Sequence, residues 1–585
     1  MYINHKLQLL INAFIFILLL SSGIGLFFVR AHHIPRLPNI DLKVGPYTAS
    51  EQIINGQYLV LFKKDANNIE EVLKPLNLEL VFPILDWVLV AQKNKKNFLP
   101  INLNSPEAQE DLLVINSLLK HPSVLDAQHN FSLEVASTDE ITNAKIEQHL
   151  ASRQNNNYAL NMPEAWDIST GSPEVKVAVI DNFLQKEIFS FAQRFKACSS
   201  RIEFIEPFGH EKKSNLPSTH GELMLLALGA CNTHSPFSMG IDSHSRLLAV
   251  QRASPGHAQT MAAALYSAGI NICEQSAYPC PKNFENIQAN KKADIILLPF
   301  ANSAPDLLQF FSDMLDAISQ KNCIVVSAAG NNGADATNFF PGNSSSIINV
   351  GALNLNGTRS TFSNWGPAID ILAPGENIDI NYANLTKTAA GTSISAAFVA
   401  GTLSLMKALD STLSWKSALY FLTHSLPLLS CENYCLSEEN KNSDEQSNCS
   451  DLCCRDQNIS CGATALDAAQ ALKNVQNKYI DTGLLELDRS YLIFTRAHPQ
   501  AQSIQINNVG SESTEVETLL YDDNLVVTPA RFSLDKKGFE NDRISLDISY
   551  KDEPFKRKTS KIEFIVRKND LIRDRSSVFI EYIPK

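Results

Sequence analysis

The sequence has no long basic tract, no HExxH motif and no charged residue between Lys6 and Arg30. With no basic stripe and a formal net charge of −12, the chain lacks the electrostatic footprint of a nucleic-acid-binding surface, and no nucleic-acid partner is expected. The acidic total selects no substrate. Without HExxH or a comparable pattern, no cofactor is expected. A structural calcium is not indicated, although one held by backbone carbonyls or scattered carboxylates would leave no such motif. The uncharged run at residues 7–29 is long enough to cross a bilayer and is followed by no clean small-residue cleavage context. It predicts export, to the cell envelope or beyond it, with residues 1–30 serving as a cleaved signal peptide or a retained anchor. Membrane contact is expected only through residues 7–29, and only if they stay uncleaved.

What is present is enough chain for several domains: 585 residues of ordinary soluble composition. Six of the 11 cysteines fall within residues 431–461: Cys431, Cys435, Cys449, Cys453, Cys454 and Cys461. The polar stretch between them, LSEENKNSDEQSN, cannot build a core of its own, which favours disulfides in an oxidising compartment. Zinc is the alternative, but no histidine lies in the cluster and its spacing matches no finger or ribbon. The odd total leaves at least one cysteine free or bonded outside the chain. Cys323 opens an apolar strand and reads as a small hydrophobe.

Organisation follows from hydrophobic period. QYLVLFK (57–63) and LELVFPILDWVLVA (78–91) read as strands, PEAQEDLLVINSLLKH (106–121) as a helix and SVLDAQHNFSL as extended chain, which makes residues 43–134 a small α+β module. Residues 135–156 are polar and read as a linker. Between 157 and 474 the pattern changes to short apolar runs, VKVAVI, RLLAVQ, ADIILLPF, CIVVSAAG and SIINVGA, several followed by helical stretches. That alternation predicts an α/β fold, a parallel sheet covered by helices, whose chemistry collects at the carboxyl ends of the strands. Residues 475–585 offer strand after strand without long helical patterns, as in a β-sandwich.

Four positions in the α/β region invite a chemical reading, and each has a plain structural one. Asp181 ends the first apolar strand and could be a turn or capping aspartate. His220 sits at the start of a buried helix beside Gly221. Asn331, in AAGNNG, follows another strand and could merely make a turn. Ser393, in TAAGTSISAAFVAG, stands where small residues give way to an apolar helical run, the usual place for a cap. A serine hydroxyl becomes a nucleophile only with an adjacent base, an acid to orient that base and donors facing the developing oxyanion.

Taken together, WDISTG (166–171), VAVID (177–181), STHGE (218–222), SAAGNNG (327–333) and GTSISAAFVAG (391–401) resemble the subtilisin-like serine peptidases, in the family's order of aspartate, histidine and serine. The resemblance covers about residues 155–470, closing with GATALDAAQAL. It implies an endopeptidase acting on peptide or protein substrates through an acyl-enzyme. Ser393 would be the nucleophile, His220 its base, Asp181 the orienting carboxylate, and Asn331 an oxyanion donor beside the Ser393 backbone N–H. YLVLFK and HPSVLDAQHNF resemble the family's inhibitory propeptide, so the chain's own residues 43–134 are expected to act as an intramolecular inhibitor removed by self-processing.

The sequence departs from the family pattern in three places. Asn182 and Phe183 follow Asp181 where Ser or Thr and then Gly are usual, which adds bulk beside the acid. Pro299, Phe300, Ala301 and Asn302 stand where Ser, Leu, Gly, Gly usually form the substrate wall, predicting a narrower cleft that favours small residues before the scissile bond. Ala397 replaces a frequent proline and is simply a better helix former. The first two departures keep a second reading open: a catalytically silent binding protein that retains the fold.

Overall fold

The computed structural model describes residues 52–63, 69–95, 98–132, 134–135, 138–140, 159–183, 201–207, 220–229, 240–252, 256–272, 292–303, 308–344, 346–354, 356–382, 385–424, 464–478, 480, 482–495, 500–551, 554, 558–568 and 571–583. The N-terminal apolar run, the cysteine-rich segment 431–461 and, of the linker, residues 136–137 and 141–156 lie outside them.

The N-terminal module contains β1 (Gln52–Phe62), α1 (Ile69–Leu73), β2 (Leu78–Ile84), β3 (Trp87–Gln92), β4 (Pro100–Asn102), α2 (Pro106–Leu119) and β5 (Val124–Phe131). Its strands form one antiparallel sheet in the order β2-β3-β1-β4, with β5 also on β1. Alternation gives this sheet two apolar faces. Tyr58, Val60, Phe62, Val88 and Val90 pack on α1 and α2. Leu59, Leu61, Trp87 and Leu89 point the other way, into the neighbouring α/β layer. Pro106 at the first helical position and the Ser105 hydroxyl, which accepts from the Ala108 N–H at 3.2 Å, start α2.

Two short strands follow, β6 (Glu134–Val135) and β7 (Thr138–Glu140), where the sequence suggested the end of the module and an exposed linker. The α/β layer then contains α3 (Met162–Ile168), β8 (Lys176–Asp181), β9 (Ile202–Ile205), α4 (His220–Gly229), β10 (Arg246–Gln251), α5 (His257–Ser267), β11 (Ile295–Leu298), β12 (Phe300–Ser303), α6 (Leu308–Ser319), β13 (Ile324–Ala328), β14 (Phe339–Phe340) and β15 (Ile348–Leu353). It ends with β16 (Ile371–Pro374), β17 (Ile378–Tyr382), β18 (Leu385–Ala390), α7 (Thr392–Leu409), α8 (Trp415–Thr423), β19 (Thr464–Ala465) and α9 (Ala468–Asn477). Eight strands make a parallel sheet in the order β19-β16-β15-β13-β11-β8-β10-β9. Odd and even residues divide its faces: Val177, Val179, Leu247, Ala249, Ile295 and Leu297 meet α4 and α7. Ala178, Ile180, Leu248, Val250, Ile296 and Leu298 meet α5 and α6. Helix α7 is long and apolar enough to cross a membrane, but it is buried inside the protein as the central core helix. Cys323 is a buried free thiol beside β13, as its apolar setting suggested.

The N-terminal module lies on α5 and α6. Asn130 accepts from the Ala258 N–H at 3.2 Å in the first turn of α5 and donates to Gln57 and Gln259 at 2.8 and 2.9 Å. The Phe131 N–H reaches His257 Nδ1 at 2.8 Å, and burial pushes that imidazole down to about 3, so it is neutral. The indole of Trp87 donates to Asp313 on α6 at 3.0 Å.

Beyond α9 come β20 (Leu485–Leu487), β21 (Tyr491–Thr495), β22 (Gln502–Asn508), β23 (Thr514–Leu520), β24 (Leu525–Thr528), β25 (Arg531–Leu534), β26 (Arg543–Tyr550), β27 (Lys558–Lys568) and β28 (Leu571–Ile583). They form two sheets, β20-β22-β26-β24 and β21-β28-β27-β23-β25, around Leu492, Phe494, Ile506, Leu546, Phe564 and Ile580. This is a sandwich. It is tied to α6 through Asp316, which accepts from the Ser490 N–H and hydroxyl, both at 2.7 Å.

Burial pushes Asp313 up to about 7 and Asp316 to about 6. An acid whose pKa is higher folded than unfolded binds extra protons in the folded state, so its contribution to stability falls as pH rises from about 4 through its folded pKa. Asp313→Asn keeps an acceptor for Trp87 and removes the ionisation. Thermal unfolding should show a raised midpoint for this variant at pH 8 and little change below pH 4. An unchanged difference from wild type across that range would contradict the assignment.

Candidate active site

The strand order reverses around β8, and in a sheet of this kind that is where the carboxyl ends open a crevice. Asp181 is the last residue of β8. Its Oδ1 accepts from the Asn182 N–H at 2.7 Å, and its Oδ2 lies 2.6 Å from His220 Nδ1 at the start of α4. A carboxylate only accepts, so Nδ1 carries the proton and Nε2 keeps the lone pair, which is the tautomer a general base requires. Asp181 and His220 are both buried.

Phe183, the bulky departure beside the acid, turns into the core. Its ring packs edge-on to Phe204 at 6.2 Å and covers Gly221, where a Cβ would come within 2.5 Å of the ring. The missing glycine of the acid's loop is thus compensated by a close approach at Gly221, and the Asp181–His220 contact is intact. Asn182 accepts from Arg252 Nε at 3.3 Å. The buried Arg252 guanidinium lies over the Phe300 ring and within electrostatic range of Asp181.

Helix α4 packs against α7, whose second residue is Ser393. The cap of α7 is Gly391, and no side chain caps it, so Ser393 stands inside the first turn rather than at the cap its sequence position suggested. The two serines of TSIS differ in their commitments. Ser395 donates to the carbonyls of Ala373 and Pro374, at 3.0 and 3.1 Å, and is structural. The buried Ser393 hydroxyl makes no hydrogen bond among the described residues. It sits at the positive end of an 18-residue helix, where negative charge is favoured.

Asn331 reaches the same turn. Its Oδ1 accepts from the Thr392 N–H and the Thr392 hydroxyl, each at 3.0 Å, while that hydroxyl accepts from the Gly330 N–H at 3.1 Å. With the carbonyl end held by Thr392, the amide NH2 is directed away from it. Sequence reasoning did not single out Thr392, although its place directly before Ser393 could have flagged it.

Pro299 follows β11, and the three residues after it begin β12. Phe300 and Ala301 pair antiparallel with Val135 and Glu134. The Asn302 amide donates to the Ser132 carbonyl. The Phe300 side chain belongs to the apolar cluster of α5 and α6, so its bulk enters the core. On the other side, Ala390, Ala389 and Thr388 of β18 pair with Thr138, Asp139 and Glu140. The chain leaving the N-terminal module is therefore paired on both sides of the crevice. Among the described residues, no group of three or more His, Cys, Asp or Glu is placed to hold a metal ion.

The Asp181–His220 pair thus stands at the carboxyl end of a parallel sheet, and Ser393 stands in the first turn of the buried helix against which α4 packs. Residues 172–452 match the sequence model of the subtilase family. It is 40% identical over 99 residues to subtilisin-like protease 3 of Pseudogymnoascus destructans, a match covering 16% of this chain and 24% of that protein. It is 39% identical over 106 residues to subtilisin-like protease 2 of Arthroderma otae, covering 18% and 25%. The match thus spans about a quarter of each relative's length. The crystal structure of fervidolysin from Fervidobacterium pennivorans, described as a keratinolytic enzyme related to subtilisin, superposes with a TM-score of 0.50 at 11% identity, covering 94% of this chain and 96% of that one. That likeness shows a subtilisin-like α/β fold.

Thr392→Val is nearly isosteric and would leave the Gly330 N–H without its acceptor. A buried donor stripped of its partner costs about 1–3 kcal/mol. Denaturant unfolding should register a loss of that order for Thr392→Val and a smaller one for Thr392→Ser. Equal stability of Thr392→Val and wild type would show that the bridge contributes nothing.

Proposed function

We propose that the chain is a serine endopeptidase made as a precursor that cuts itself at the bond between Ala136 and Ser137. The observation that carries this reading is the pair of registers flanking the crevice. Val135 pairs with Phe300, next to Pro299 at the carboxyl end of β11, and Thr138 pairs with Ala390, next to Gly391 at the start of α7. Ala136 and Ser137 are the two residues that join these pairings in sequence. Ala136 is also the small residue expected before the scissile bond.

In the proposed reaction the Ser393 oxygen attacks the Ala136 carbonyl carbon while His220 Nε2 takes the hydroxyl proton. Asp181, hydrogen-bonded to Nδ1, fixes the ring and stabilises the imidazolium. The carbonyl oxygen becomes an oxyanion facing the Asn331 amide and the Ser393 N–H. Loss of the corresponding side-chain donor in subtilisin costs about 2.7–4 kcal/mol of transition-state stabilisation. Collapse breaks the C–N bond, and the imidazolium returns its proton to the amine of Ser137. Water then hydrolyses the Ala136 acyl-enzyme by the same base. Peptides or proteins supplied in trans would follow the same path, with the departing N-terminal module acting as an intramolecular inhibitor until it leaves.

Wild type and Ser393→Ala, expressed in parallel in an oxidising compartment, test the reading by N-terminal sequencing. The wild-type mature chain should begin at Ser137, and the variant should remain joined to its module. Identical processing of both would assign the cut to another protease, and no cut in either would favour a silent binding protein. Export through residues 7–29, with crosslinking of the 431–461 segment, belongs to the same proposal and rests on sequence. Non-reducing mass spectrometry should find disulfide-linked peptides from that segment, and six free thiols would refute the crosslinks.

A further inference from the structure

The loop that carries Asn331 is tied on both sides of that residue by one side chain, that of Asn364. Asn364 is fully buried and lies in the turn between β15 and β16. Its Nδ2 donates to the Ala329 carbonyl at 2.8 Å, and its Oδ1 accepts from the N–H groups of Asn332 and Ala334 at 3.0 and 3.1 Å. Its own N–H donates to the Gly330 carbonyl at 3.0 Å. These contacts bracket Asn331 on both sides and leave out its side chain. Gly330 holds a φ of +104°, and a Cβ there would come within 2.4 Å of Asn364 Nδ2, so the loop is folded tightly around this amide. Only a side chain offering a donor and an acceptor on one short planar group can serve a carbonyl and two N–H groups at once, which asparagine does and aspartate does not.

Resting on the peptidase reading above, we infer that Asn364 is a positioning residue for the oxyanion site, acting through the Asn331 backbone without touching substrate. Thr392 orients the Asn331 amide, and Asn364 fixes the backbone from which it projects. A side-chain donor is useful to a developing oxyanion only when its position is set before the charge appears, because reorganisation during the reaction would consume the gain. Rigid seating of the 329–334 loop is thus a requirement of the chemistry as well as of the fold.

A double-mutant cycle separates this role from a merely structural one. Rates on a small peptide substrate would be measured for wild type, Asn364→Ala, Asn331→Ala and the double variant, each normalised to sites titrated by a fluorophosphonate so that unfolded protein is not counted. Asn364→Ala should lower kcat about 10- to 100-fold with KM within about threefold, since an oxyanion donor acts mainly in the transition state. With Asn331 already removed, the same substitution should change kcat by less than about threefold. Gly330→Ala, which crowds the same amide at its Nδ2, should show the same masking when combined with Asn331→Ala, and it guards against a folding defect peculiar to Asn364→Ala. Multiplicative losses in either double variant, or an Asn364→Ala effect confined to KM, would overturn the inference while leaving the peptidase reading intact. Failure of wild type to hydrolyse the peptide or label with the fluorophosphonate would overturn both.

Discussion

The first turn of α7 sets where every other part of the site must stand. The helix is buried along nearly its whole length, so it cannot shift without disturbing the core between the sheet and α4. Its opening residues are nevertheless polar, and most of their polar groups are accounted for. Thr392 bridges Gly330 and Asn331, Ser395 is bound to the end of β16, and the Ser393 hydroxyl has no hydrogen-bond partner among the described residues. Burying a hydroxyl without a partner is costly, which sets Ser393 apart from its neighbours in this turn.

The sheet supplies the rest by ordinary geometry. Parallel strands end together, which brings Asp181 at the end of β8 and the loop after β13 to one edge, although they are about 150 residues apart in sequence. His220 arrives from α4, which packs on α7 and so is indexed to the same helix. The substitution of Phe183 beside the acid is tolerated because the ring is removed into the core over Gly221, a position with no Cβ to obstruct it. The two residues are complementary: the Phe183 ring fills the space beside a glycine that has no Cβ.

Much of this was legible in the sequence. The apolar runs at 175–180, 246–251, 293–300, 323–330 and 346–352 announce themselves because strands buried on both faces need hydrophobic residues at consecutive positions. Asp181, His220, Asn331 and Ser393 were readable as a set because each lies at a strand end or helix start within a distinctive motif. β6 and β7 were not. Two- and three-residue strands have no period to detect, and theirs exist only because β12 and β18 offer edges to pair with. Asn364 was hidden for a related reason. An asparagine before a turn glycine reads as turn chemistry, and only the fold reveals that its amide is spent on a loop some thirty residues earlier.

The same contacts that present the linker to the crevice also oppose its departure. Breaking the bond between residues 136 and 137 would end covalent continuity, but not the pairing of Glu134 and Val135 with β12, the Asn302–Ser132 hydrogen bond, or the seating of Asn130 and Trp87 on α5 and α6. In the proposed reaction the first cut is intramolecular and independent of protein concentration, because residues on both sides of the bond are paired to strands that flank the crevice. Later turnovers differ in kind. They require the loss of an interface with a shared apolar cluster and buried amide pairs, so release of the N-terminal module, rather than assembly of Asp181, His220 and Ser393, would govern when the crevice opens to other chains.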